Sequence, residues 1–117
     1  MTDPHDDLHV VRTTEADRLV LVFHGELDLD TLPTAQHELA TAEAEAPPVL
    51  VIDLGELAYV DSSGVRLVLV AQHDAEQASR RLAVRLGRGS VRRMFDVLGL
   101  TGRLDVLDPD DGEPHPA

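Results

Sequence analysis

The chain has 117 residues, 43 % of them hydrophobic, which suits one domain around one core. A net charge of -12 makes DNA, RNA and anionic membrane surfaces poor partners. All ten basic residues are Arg and there is no Cys, which excludes Schiff bases, a P-loop lysine, disulfides, thiolate metal sites and cysteine catalysis.

The charge is unevenly spread. MTDPHDD (1–7) carries three acids and DPDDGEPHPA (108–117) carries four, with no base in either. Both read as solvated acidic tails on a domain spanning 8–107, where 15 acids meet ten arginines. The N-terminus lacks the apolar stretch of a signal peptide, and no apolar run approaches the roughly 18 residues of a membrane span. A cytoplasmic protein is expected. Aromatics are limited to Phe23, Tyr59 and Phe95, so Val, Leu and Ala must fill the core. The stacking platforms of single-stranded nucleic-acid binders are therefore lacking. His5 and His9 read as incidental histidines near an N-terminus, and no metal or cofactor is expected.

LHVVRT (8–13) and RLVLVFHG (18–25) are β-branched runs separated by TEAD, a hairpin signal. The second run is apolar on both alternating faces, as in a strand covered on both sides. DLDTLPTAQHELATAEAEAPP predicts a helix. Asp30 or Thr31 can cap it, Pro33 fits its first turn, Leu32, Ala35, Leu39 and Ala42 recur at helical spacing, and Pro47-Pro48 ends it. VLVIDL (49–54) reads as a central buried strand. A turn at Gly55-Glu56 and a short apolar piece, LAYV, follow. The stretch from Gly64 to Arg81 is mixed: VRLVLVA is β-rich, AQHDAEQASRR is helical. The preceding Asp and Ser cap signals, and a face shared by Val65, Val68, Leu69 and Gln72, favour one helix. LAVRL is then a strand. In GRGSVRRMFDVLGL, Ser90 is the expected cap, Val91, Met94, Phe95 and Leu98 form one helical face, and Gly99 is the stop. RLDVL is the last strand. The order ββαβαβαβ predicts an α/β fold, with a mixed, mainly parallel sheet and helices mostly on one face.

Between two of these elements lies AYVDSSGVRL (58–67), with an acid, two hydroxyls and a glycine. A hydrolase elbow, G-x-S-x-G, does not fit. Centred on Ser62 it requires Gly where Val60 stands, and centred on Ser63 it requires Gly at Asp61 and Val65. A receiver domain phosphorylated on Asp53 resembles chemistry that needs a lysine, and the chain has none. Gly87-Arg88-Gly89-Ser90 resembles an anion nest ahead of a helix, but a plain turn and cap is the better reading. For Asp61, Ser62 and Ser63 a helix cap is one explanation, since their oxygens accept orphan backbone N–H bonds. One capping residue would suffice where three stand. A phosphate switch is the other, because a helix N-terminus stabilises an anion.

HGELDLDTLP, VLVIDLGELAYVDSSGVRLV and VRRMFDVLGLTGRLDV together resemble the STAS domain family, in its stand-alone form as a bacterial anti-sigma factor antagonist. The resemblance spans 8–107. It implies a non-enzymatic regulator with no catalytic residue. The unphosphorylated protein would bind an anti-sigma factor that is also a serine kinase, and so release a sigma factor. Phosphorylation would weaken that binding, and a serine phosphatase would restore it. The phosphoacceptor maps onto Ser62, with Ser63 the second choice. Glu26 and Asp28 of the GELD turn fall near it, though a solvated turn is an equal reading of both. Partner contact would involve Glu26, Asp28, Asp61, Ser62, Ser63, Gly64, Arg66, Leu67 and Val70; Leu67 and Val70 serve as a docking ridge if exposed and as core if buried. A monomer or weak dimer, without direct nucleic-acid contact or membrane insertion, is expected. STAS-like domains also serve as regulatory subunits of membrane-transport ATPases or as scaffolds of signalling assemblies, which is the alternative role.

Overall fold

The computed structural model describes residues 8–107. The acidic segments 1–7 and 108–117, and with them His5, lie outside the described residues. The chain begins with β1 (Leu8–Glu15) and β2 (Arg18–Leu27), which pair antiparallel around a two-residue turn at Ala16-Asp17. Then come α1 (Leu32–Ala44), β3 (Val49–Asp53), β4 (Leu57–Val60), α2 (Ser62–Gln77), β5 (Arg81–Arg85), α3 (Ser90–Val97), a 3-10 turn at Thr101–Arg103, and β6 (Val106–Leu107). The strands lie in the order β1-β2-β3-β5-β6, and every pairing except β1 with β2 is parallel.

LAYV supplies a strand beyond the expected order. β3 runs beside Arg18–Val22 of β2; the chain then steps at Gly55-Glu56, and β4 takes up the same edge beside Gly25, Glu26 and Leu27. Thus β2 is shared lengthwise between two parallel neighbours. RLDVL, by contrast, is mostly not strand. Its first residue closes the 3-10 turn, and only Val106–Leu107 pair with β5.

Alternation along β2 explains its apolar character. Leu19, Leu21, Phe23 and Leu27 join the main core with Ala35, Leu39 and Ala42 of α1, Val65, Val68, Ala71 and Ala75 of α2, and Val91 and Phe95 of α3. All three helices therefore contribute to the core on one face of the sheet. Val20 faces the other way, into a smaller cluster with Val49, Val51, Ala83 and Leu107. In α2 this burial at helical spacing, together with a cap, overrides the strand propensity of VRLVLVA.

The face bearing Val20 and Ala83 also carries a long-range ion pair. Arg85 donates to both carboxylate oxygens of Glu15, at 3.2 and 2.8 Å. This bond first, and the charges of Arg85 and Arg18 after it, outweigh partial burial and hold the Glu15 carboxyl below its ordinary 4.5. A depressed folded-state value contributes stability above about 4.5, and that contribution disappears as pH falls through the lowered value. Glu15→Gln should therefore be less stable than the parent near neutrality and equal to it in strong acid. Urea midpoints at the two pH values check this; the difference is small because Glu15 is half exposed.

The helix ends follow one rule. After α3, Gly99 (φ 72) donates to Asp96 O and Leu100 to Phe95 O, which satisfies two orphan carbonyls and turns Leu100 into the core. Leu98, expected on the buried face, is instead the C-cap residue and is 54 % exposed, because Leu100 fills that place. Ser90 is likewise not the cap. Gly89 occupies that position and Ser90 opens the helix. After α2 the same pair of bonds runs from Ser79 to Glu76 O and from Arg80 to Ala75 O, but Ser79 holds φ 56 without being glycine. Ser79→Gly should raise stability by about 1 kcal/mol, since a side chain in the left-handed region is strained by about that much. Thermal melts of the two proteins measure it.

Candidate functional site

The start of α2 is built by Asp61. Its backbone is extended (φ -108, ψ -174), and its Oδ1 accepts from Ser63 N at 2.9 Å and Gly64 N at 3.2 Å. Its own N–H donates to the carbonyl of Leu27 at 3.1 Å, which ties the helix start to the end of β2. One residue thus performs the capping. Ser62 is the first helical residue, exposed, with its hydroxyl in no hydrogen bond among the described residues. Ser63 is half-buried.

Gly64 is needed for packing. A Cβ there would lie 2.7 Å from Leu27 Cγ and 2.7 Å from Val60 Cγ2, so a larger residue would push α2 off the sheet. Leu27 and Val60 are opposite one another in the β2–β4 ladder, and both are buried.

The same ladder brings in the GELD turn. Glu26 is opposite Tyr59, with a register shift between Gly25 and Glu26. Asp28 and Thr31 bond reciprocally: Thr31 N donates to Asp28 Oδ1 at 3.0 Å, and Asp28 N donates to Thr31 Oγ1 at 3.0 Å. The Thr31 hydroxyl donates onward to Glu26 O at 2.9 Å, so this buried threonine locks the turn rather than capping α1 with its side chain. Asp28 is therefore a structural residue of the turn as well as a carboxylate at its rim. Leu29 stands 68 % exposed between two acids, an apolar contact point the sequence pattern did not reveal.

The remaining predicted residues lie further along α2. Arg66 is exposed, four residues after Ser62. Leu67 is half-buried against the core and Val70 is 47 % exposed, so the two divide between the packing and docking roles. Both line a groove against α1 of about 240 Å³, with Leu39 and Ala71 and with Glu43 and Asp74. The predicted set thus resolves into a polar patch at the helix start and an apolar groove one to two turns on.

A third part comes from α3. Arg93, Met94, Val97 and Leu98 share a surface depression with Ser62. The sequence showed the helical period of this segment but not that Val97 and Leu98 point outward, because that depends on where the helix stops. Asp53, the acceptor of a receiver reading, bonds Gly55 N at 2.9 Å from the end of β3.

The family model for the Mlab, STAS domain matches residues 10–108. The chain belongs to the STAS domain family. This STAS domain is 26 % identical, over 84 % of its length and 83 % of the relative's, to the anti-sigma-B factor antagonist of Listeria monocytogenes. Its fold is similar to the crystal structure of an anti-sigma factor antagonist from Mycobacterium paratuberculosis (TM-score 0.78, 23 % identity, 91 % of this chain and 89 % of that one). It is also similar to the anti-sigma factor antagonist SpoIIAA in its unphosphorylated form (TM-score 0.70, 24 % identity, 90 % and 91 % of the two chains). SpoIIAA in its phosphorylated form matches with a TM-score of 0.66, 23 % identity and 90 % and 95 % coverage. No helix among the described residues of the STAS domain is long and apolar enough to cross a membrane.

The tight seat of α2 makes a measurable claim. Gly64→Ala should lower stability by about 1–2 kcal/mol in urea denaturation, the net of overpacking and a smaller gain in helix propensity. A neutral or stabilising result would show that α2 has slack over Leu27 and Val60.

Proposed function

We propose that the chain is an anti-sigma factor antagonist whose unphosphorylated form binds an anti-sigma factor that is also a serine kinase, and so releases a sigma factor. The reading rests on one observation: Ser62 presents a free, exposed hydroxyl at the first turn of α2, while Asp61 alone caps the helix. The likeness to anti-sigma factor antagonists supports the role, and the exposure of Ser62 beside a half-buried Ser63 supports the choice of acceptor.

In the transfer, Ser62 Oγ attacks the γ-phosphorus of ATP. The Oγ–P bond forms, the bond from γ-phosphorus to the bridging oxygen breaks, ADP departs, and the hydroxyl proton passes to a base of the kinase. The fold tolerates the product because the helix dipole favours an anion there. The partner does not. A charge of about -1.5 to -2 is added beside Glu26, Asp28 and Asp61, in the middle of the surface it must cover. A serine phosphatase returns the hydroxyl by hydrolysis. Glu26, Asp28, Asp61, Ser62, Ser63 and Arg66 form the polar part of the partner surface, with Leu67 and Val70 as its apolar flank, while Gly64, buried against Leu27 and Val60, seats the helix beneath it. The chain works in the cytoplasm as a monomer or weak dimer, with residues 8–107 as the domain.

Incubation with ATP and the cognate anti-sigma kinase should add one phosphate, absent in Ser62→Ala. Equal labelling of Ser62→Ala would move the site elsewhere, first to Ser63. Ser62→Asp should weaken kinase binding at least about tenfold, or 1.4 kcal/mol. Copurification with a transport ATPase and no kinase would overturn the role itself.

A further inference from the structure

Ser62 borders a solvent-open depression of about 480 Å³ whose other lining residues are Ser90, Arg93, Met94, Val97 and Leu98. Its floor is apolar and unusually bare, with Val97 80 % and Leu98 54 % exposed at the end of α3. Arg93 is exposed, and its guanidinium makes no hydrogen bond or ion pair among the described residues. Its neighbour Arg92 differs, being drawn towards Asp96 at 3.9 Å along the same helix. The chain as a whole is strongly acidic, so an uncommitted cation in the same depression as a serine hydroxyl stands out.

We propose that phosphate on Ser62 is clamped in cis by Arg93, a pairing that bridges α2 to α3 and closes over Met94, Val97 and Leu98. The inference rests on Ser62 being the phosphoacceptor and adds how the phosphate is held. The guanidinium is a planar fork that donates to two phosphate oxygens at once, and its face is weakly hydrated, so it can lie on apolar side chains while its edge holds the anion. In the unphosphorylated chain those side chains are a bare apolar patch, the kind of surface that protein partners cover. Pairing replaces it with a charged lid. Phosphorylation then does two things at once: it adds negative charge at the start of α2, and it removes an apolar contact area on α3 that charge alone would leave open.

The other charged groups around this end of the domain are Asp61 just before α2 and Arg66 on it, Glu26 near the end of β2 and Asp28 just after it, and the Arg92–Asp96 pair on α3. Asp61, Glu26 and Asp28 raise the second pKa of the phosphate, while the charges of the Arg92–Asp96 pair offset each other. Arg66 and Arg93 lower it, so the two arginines must be separated by experiment.

Phosphoserine is installed at position 62 during translation, which removes any dependence on a kinase, and its second ionisation is followed by phosphorus NMR. The parent phosphoprotein should titrate about half a pH unit below Arg93→Gln, since a cation near an anion favours its charged form. Arg93→Lys should recover part of the difference, and high salt should close it. On phosphorylation, amide shifts at residues 93–98 should move in the parent and stay still in Arg93→Gln. Coincident titrations of parent and Arg93→Gln would overturn the clamp, as would a shift lost in Arg66→Gln but kept in Arg93→Gln. Because Arg93 is exposed and unpaired, the Gln variant keeps its fold, which an unchanged urea midpoint verifies. Failure of the kinase to label Ser62 would count against the switch while leaving this measurement intact.

Discussion

The bond from Asp61 N to Leu27 O holds this domain's working end together. Through it the end of one strand fixes where a helix begins. The Asp61 carboxylate then satisfies the first free N–H groups of that helix, and Gly64 lets the helix settle on Leu27 and Val60. Everything at the site inherits its position from this small arrangement. Ser62 is held at the first turn without being consumed by it. Asp28 stands close by because it follows Leu27 directly, locked by Thr31. A cap is usually a matter of helix stability; here it also decides which hydroxyl stays free.

The division of labour between Asp61 and Ser62 resolves an ambiguity that the sequence left open. Asp, Ser and Ser before a helix are three residues with one chemical talent, and spacing cannot rank them. Backbone conformation can, because only the residue in extended geometry just outside the helix aims its side chain at the orphan donors. The sheet and the three helices were readable because periodicity and turn residues agree along most of the chain. LAYV as a strand was not. Four apolar residues after a glycine turn have no periodicity to show, and their pairing depends on β3 ending early enough to leave half of β2 free.

The outward turn of Leu98 has its cause at the end of α3. Val91, Met94 and Phe95 keep the helical face that their spacing predicts, but the stop at Gly99 changes the residues just before it. The closing turn rotates Leu98 outward and brings Leu100 in. Exposure at a helix end is therefore set by which residue adopts the left-handed conformation. This is why the apolar wall beside Ser62 is visible only in three dimensions.

The shared edge of β2 has a consequence for motion. Its first half is stitched to a five-residue strand deep in the sheet, its second half to a four-residue strand beside the site. Short ladders open at lower free energy than the global transition. The fold thus separates a keel, the longer ladder, from a prow, the shorter ladder beside the start of α2, where fewer bonds hold the edge of the sheet.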